Sequence, residues 1–70
     1  MSTRIVLVEP QHPGNIGAVA RAMKNMGLRD LHLVKPALFP HPEAAARASG
    51  ADDVLDAAVV HGSFDQAIAE

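Results

Sequence analysis

The strongest local feature of the sequence is the run Glu9 to Gly27. Gly14 and Gly17 stand where a strand gives way to a helix. Glycines there bare backbone N–H groups in front of the helix dipole, which makes an anion site. The same glycines also serve a turn and close helix packing, and their spacing leaves both readings open. Arg21 carries a planar fork that grips two phosphate oxygens at once. Lys24 and Asn25 follow on the same helical face, which is either a phosphate track or an ordinary solvated surface. Asn15 has the side chain of a helix cap and equally of a group that orients a site. His12 lies in the adjoining loop. Glu9 closes the strand, with no second carboxylate beside it for acid–base work.

Other chemistries fit less well. Gly14, Gly17 and Ala20 imitate a G-x-x-G-x-x-A dinucleotide fingerprint, but the loop after Val8 is longer than such sites use. Lys35 stands where an NAD site places an acid. His32, His41 and His61 are scattered without paired ligand spacing and the chain has no cysteine, so no metal site is expected. Phe39 and Phe64 are the only aromatics, too few to stack bases.

The elements that position these residues follow from hydrophobic pattern. Ile5–Val8 is a short apolar run, as in a strand buried on both faces. A loop with two prolines follows, and Asn15 stands where a cap stands. Ile16, Val19, Met23 and Met26 recur at helical spacing, which predicts a helix from about Ile16 to Met26 ended by Gly27. Leu31–Val34 is a second strand, parallel to the first through a right-handed crossover. Pro42 and Glu43 open a second helix that stops before Gly50. Asp52 to Leu55 reads as a helical turn and Ala58–Val60 as a third strand. Ser63 with Gln66 forms a capping box for a last helix whose apolar side is Phe64 and Ile68. The fold class is α/β, a parallel sheet with helices on both faces.

Seventy residues make one small domain or part of a larger one, and a chain of that size buries only about 60% of its unfolded surface. No apolar run is long enough to span a bilayer, and Met1-Ser2-Thr3-Arg4 shows no signal segment, so a cytoplasmic location is the default. The net charge of −2 hides a division: residues 1–35 carry five basic side chains against two acidic, and residues 36–70 one against six. A weakly acidic chain cannot hold nucleic acid by bulk charge, so any anion site is local to the first half.

The stretch Ile5-Val6-Leu7-Val8-Glu9, then His12-x-Gly14-Asn15-Ile16-Gly17-Ala18-Val19-Ala20-Arg21-Ala22-Met23, closing on Met26-Gly27-Leu28, resembles the first conserved motif of the SpoU branch of the SPOUT RNA 2′-O-methyltransferases. The likeness continues through Leu33-Val34-x-Pro36 and Ala48-x-Gly50-Ala51-x-Asp53-Val54, and so covers nearly the whole chain. It implies that residues 1–70 are the N-terminal part of a single trefoil-knot methyltransferase domain. The knot, which holds S-adenosylmethionine, would lie beyond Glu70, and residues 1–70 alone would neither bind that donor nor catalyse.

The implied function of the complete enzyme is 2′-O-methylation of a cytidine or uridine ribose in the tRNA anticodon loop, by a homodimer whose sites combine both subunits. The resemblance makes Asn15 and Arg21 catalytic residues and brings Arg21, Lys24, His12, Gly14 and Gly17 to the RNA. The family's arginine has been proposed as the base for the ribose hydroxyl. A guanidinium offers donors and no acceptor, which favours a clamp and orienter over a base. Two other classes remain open on the residues themselves: a Rossmann-type nucleotide-dependent oxidoreductase and a non-catalytic α/β interaction module.

Overall fold

The structure, a computed structural model, describes residues 3–69. Met1 and Ser2, part of the segment read as lacking a signal, and Glu70, one of the acidic side chains counted above, lie outside the described residues. Seven elements follow in order: β1 (Arg4–Val8), α1 (Pro13–Asn25), β2 (Asp30–Val34), α2 (Pro42–Ala48), α3 (Asp52–Asp56), β3 (Val59–His61) and α4 (Phe64–Ile68). The strands form a parallel sheet in the order β1-β2-β3, with Arg4 opposite Asp30 and His32 opposite Val59.

Strand side chains alternate between faces, so central β2 builds two different interiors. Leu31 and Leu33 point to one face, where with Ile16 they are the largest fully buried side chains. Ala20 and Met23 of α1, Ala44 and Ala48 of α2, and Ala51, Val54 and Leu55 close this core, with Ile5 and Leu7 at its margin. Removing each such leucine from water contributes about 1.5–3 kcal/mol. His32 and Val34 point to the opposite face, which α4 covers by touching all three strands. Helices therefore lie on both faces, as the pattern implied.

Local signals set the helix ends, and some differ from expectation. α1 begins at Pro13, with His12 as its N-cap, and the Asn15 N–H donates to the His12 carbonyl at 3.0 Å. Asn15 is therefore inside the first turn and does not cap. Proline at the first helical position supplies a preset φ and lacks only an N–H that would go unpaired. At the other end the Leu28 N–H reaches the Met23 carbonyl at 2.8 Å and the Gly27 N–H reaches Lys24 at 3.1 Å, with Gly27 at φ 76°. This is a Schellman closure, and it needs the left-handed residue that glycine supplies.

His41 caps α2, its Nδ1 accepting from the Glu43 N–H at 3.1 Å. The third strand runs one residue later than the pattern predicts, because the Ala58 N–H is spent closing α3 on the Leu55 carbonyl. Ser63 caps α4 by accepting from Gln66, but the Gln66 side chain accepts from Gly62 instead of from Ser63. Ala67 is the residue of α4 that is buried, while Phe64 and Ile68 stay half exposed.

α1 and α2 meet unusually closely at Gly17. A Cβ there would stand 2.1 Å from the Ala44 carbonyl oxygen and 2.9 Å from the Arg47 Cβ. α1 is also tied to the α3 region, because Lys24 Nζ donates to the Gly50 carbonyl at 3.0 Å and to Asp53 Oδ1 at 3.1 Å. Arg29 approaches the other Asp53 oxygen at 3.8 Å. The Lys24 hydrogen bond is the main reason the Asp53 carboxyl sits below its ordinary value of 3.8. The basic first half and acidic second half of the sequence are thus partly neutralised by each other.

Two outcomes follow. Gly17→Ala gains about 1 kcal/mol of helix propensity, but the clash is with backbone and cannot be relieved by a rotamer change. Urea denaturation should show a net loss of about 2 kcal/mol or more. Lys24→Gln should raise the Asp53 pKa back towards 3.8, read by NMR titration of the carboxyl carbon. With a depressed folded value, the contribution of Asp53 to stability is present above that ordinary value and is lost as pH falls through the lowered one. Acid sensitivity between those two values should therefore weaken in the variant.

Candidate functional site

At the carboxyl edge of the sheet, β1 and β2 run into Glu9 and Lys35, which adopt φ 49° and φ 47°. Non-glycine residues seldom take this left-handed conformation, which costs free energy and tends to occur at functional edges. Hydrogen bonds hold both corners: the Glu9 N–H donates to the Val34 carbonyl at 2.7 Å and the Lys35 N–H to His61 at 3.0 Å. The Ala37 N–H bonds the Pro10 carbonyl at 3.1 Å and couples the two following loops. An acidic and a basic side chain are therefore exposed on neighbouring strand ends beside the start of α1.

His12 is exposed there, and its ring makes no capping bond. Gly14 and Gly17 are buried. A Cβ at Gly14 would meet Glu43 Oε2 at 2.7 Å and the Arg47 Cγ at 3.5 Å. Of the two readings that the spacing left open for these glycines, close helix packing is the one this geometry displays. They admit α2, and a carboxylate already lies against the first turn of α1. The same packing removes the dinucleotide reading, since a pyrophosphate would need the close approach that α2 occupies. These residues likewise form no cradle for S-adenosylmethionine.

Arg21 is exposed and has no hydrogen bond or ion pair among the described residues. It lines a shallow groove with Lys24, Asn25, Ser49, Gly50 and Ala51. Lys24 shares the groove, but its ammonium is turned to Gly50 and Asp53. Asn15 is exposed on a different side of the helix: six residues separate it from Arg21, about 9 Å along the axis and about 120° around it. The two side chains do not converge within this chain.

Sequence reasoning missed two features. Arg47 packs its stem over both glycines while keeping an exposed side chain, and no local pattern reveals that. His32 and His61, 29 residues apart, meet at 2.7 Å. Only the parallel register shows that they share a face. No group of three or more metal-ligating side chains occurs among the described residues.

A family model described as the SpoU rRNA Methylase family matches residues 2–70. The chain is 62% identical over 65 residues to the tRNA (cytidine/uridine/adenosine-2′-O-)-methyltransferase TrmJ of Pseudomonas aeruginosa, covering 93% of this chain and 25% of that protein. It is 55% identical to the tRNA (cytidine/uridine-2′-O-)-methyltransferase TrmJ of Pectobacterium atrosepticum, covering 93% of this chain and 27% of that one. It thus spans about a quarter of the length of these relatives. Among solved structures, TrmJ from Z. mobilis ZM4 superposes with a TM-score of 0.95 at 48% identity, over 99% of this chain and 31% of its own. A probable methylase family protein from Haemophilus influenzae Rd KW20 gives a TM-score of 0.90 at 48% identity, over 93% and 28%. With its parallel sheet, its helix order and nearly its whole length matched, the chain belongs to the SpoU rRNA Methylase family.

Proposed function

We propose that the complete protein containing this chain methylates a ribose 2′-hydroxyl of tRNA, at a cytidine or uridine of the anticodon loop, with S-adenosylmethionine as donor. Residues 1–70 would be the N-terminal part of its single methyltransferase domain, working in the cytoplasm. The observation that carries the reading is Arg21, an exposed guanidinium without an intramolecular partner among the described residues, in a chain 62% identical to a tRNA 2′-O-methyltransferase. The relatives, tRNA 2′-O-methyltransferases by name, support tRNA and the ribose hydroxyl.

When bound, S-adenosylmethionine supplies an electrophilic methyl group, held by residues other than those described here. The part played by this chain is positioning. Arg21 projects from the middle of a 13-residue helix whose other side is fixed in the core, so its fork reaches RNA phosphate from a rigid base. A guanidinium offers donors and no acceptor, so the role that fits Arg21 is to clamp phosphate and orient the ribose hydroxyl. Asn15, near the start of the same helix, faces another direction and orients a second part of the substrate. Lys24 joins the phosphate path only by exchanging its bonds to Gly50 and Asp53 for RNA, and His12 reaches RNA from the loop. Gly14 and Gly17 serve the RNA indirectly, by setting how α1 lies on α2. Because Asn15 and Arg21 do not converge, a second subunit that completes each site fits this geometry.

Replacement of Arg21 tests the reading in the full-length enzyme. Arg21→Ala should lower single-turnover methylation of a tRNA transcript by about a hundredfold or more, with donor affinity unchanged. Arg21→Lys should not restore the rate, because the charge returns without the fork. Stability should move by no more than about 0.5 kcal/mol, as for an exposed helix residue. Near-normal turnover in a folded Arg21→Ala enzyme would remove Arg21 from the mechanism.

A further inference from the structure

The sheet face under α4 carries a polar chain that the proposed methyl transfer does not use. It begins at the carboxyl end of β3 with His61, whose Nε2 lies 2.7 Å from His32 Nδ1. The two rings are nearly parallel, at 12°, with centroids 4.9 Å apart. His32 is only 6% exposed, and its Nε2 lies 2.6 Å from Asp30 Oδ1. The other Asp30 oxygen accepts from Arg4 Nε at 3.1 Å. Arg4 Nη1 then donates to the Ala67 and Ala69 carbonyls at 2.9 and 3.1 Å. One chain of contacts joins all three strands to the end of α4.

Hydrogen-bond stoichiometry limits how many protons this chain holds. Burial raises the Asp30 pKa, but the hydrogen bonds and charges of Arg4 and His32 together outweigh it and hold the carboxyl below 3.8. Asp30 is therefore an acceptor wherever imidazoles titrate, and His32 Nε2 carries a proton. Between His32 Nδ1 and His61 Nε2 a bond needs one N–H and one bare nitrogen. With both rings neutral, His61 donates; with His32 protonated, His32 donates to both neighbours. Two imidazolium rings would instead set N–H against N–H and charge against charge, with His32 almost wholly buried.

The surroundings offer no relief for a second charge. β1 contributes the Arg4 cation and β2 only the Asp30 carboxylate, already shared with Arg4. Lys35, another cation, follows β2 and bonds the His61 carbonyl through its backbone. On α4 the titratable group among the described residues is Asp65, which is exposed. The parts held by the link are also small, three residues of β3 and five of α4.

We propose that His32 and His61 form a pH-sensitive latch, which fastens β3 and α4 to the sheet while the pair shares one proton and releases them when both rings are charged. The open state binds one more proton than the closed state, so closure is favoured at higher pH and opening grows as pH falls.

Hydrogen exchange of the full-length protein from pH 7.5 to pH 5, corrected for intrinsic rates, tests this. Protection of β3 and α4 amides should fall by about tenfold per pH unit once the second proton is taken up, with α1 unaffected. His61→Gln keeps a donor and an acceptor without titrating, and should abolish that slope. A flat wild-type profile, or an unchanged slope in His61→Gln, would overturn the latch. Should that variant fold poorly, ring-nitrogen NMR of the wild type decides. Two separated steps, the lower coinciding with loss of α4 protection, support the latch; a single common step refutes it.

Discussion

The close approach of α1 and α2 at Gly17 governs the placement of nearly everything else. Because a backbone carbonyl of α2 occupies the space a side chain would fill, α1 has one allowed rotation about its own axis. That rotation turns Ile16, Ala20 and Met23 into the core and leaves Asn15 and Arg21 outside. The alanines of α2 are the complement, since small side chains let two helices approach without emptying the interior. A larger residue at any of these positions would push the helices apart and swing Arg21 with them. Packing and proposed chemistry are therefore joined through a single backbone contact.

β2 separates two environments of opposite character. One face is aliphatic and fastened by shape. The other is fastened by directional polar bonds from Arg4 to His61, and these depend on which groups carry protons. The packing of the aliphatic layer is indifferent to pH, apart from the Lys24–Asp53 pair at its rim, and the polar layer is not. A sheet of three strands gains from the division, because each face holds different helices and responds to different conditions.

Element order, the parallel pairing and the aliphatic core were legible in the sequence, because they follow from local periodicity and from glycine and proline punctuation. The cap of α1 was misread. Asn15 is the better capping side chain, yet the helix starts three residues before the expected Ile16, at Pro13, by backbone preference alone. The glycines kept two readings because only the position of α2, set by a distant segment, decides between them. Arg21 stood out through its place in a motif, whereas the engagement of Lys24 with Asp53 depends on how α3 folds back. The His32–His61 contact was illegible, since neither residue has a local pattern and only the strand register brings them together.

The grip of Arg4 on the end of α4 spans 63 and 65 residues of chain. Synthesis proceeds from the N-terminus, and contacts of such long separation form late because loop closure must precede them. The first strand therefore emerges from the ribosome long before the carbonyls that its arginine finally holds. Until residue 67 is made, Arg4 has at most Asp30 to pair with, and the polar face of the sheet stands uncovered. The aliphatic face is assembled from residues up to Leu55 and is available earlier. The chain thus acquires its closely packed half before its hydrogen-bonded one, an order of events written into where a single guanidinium finds its partners.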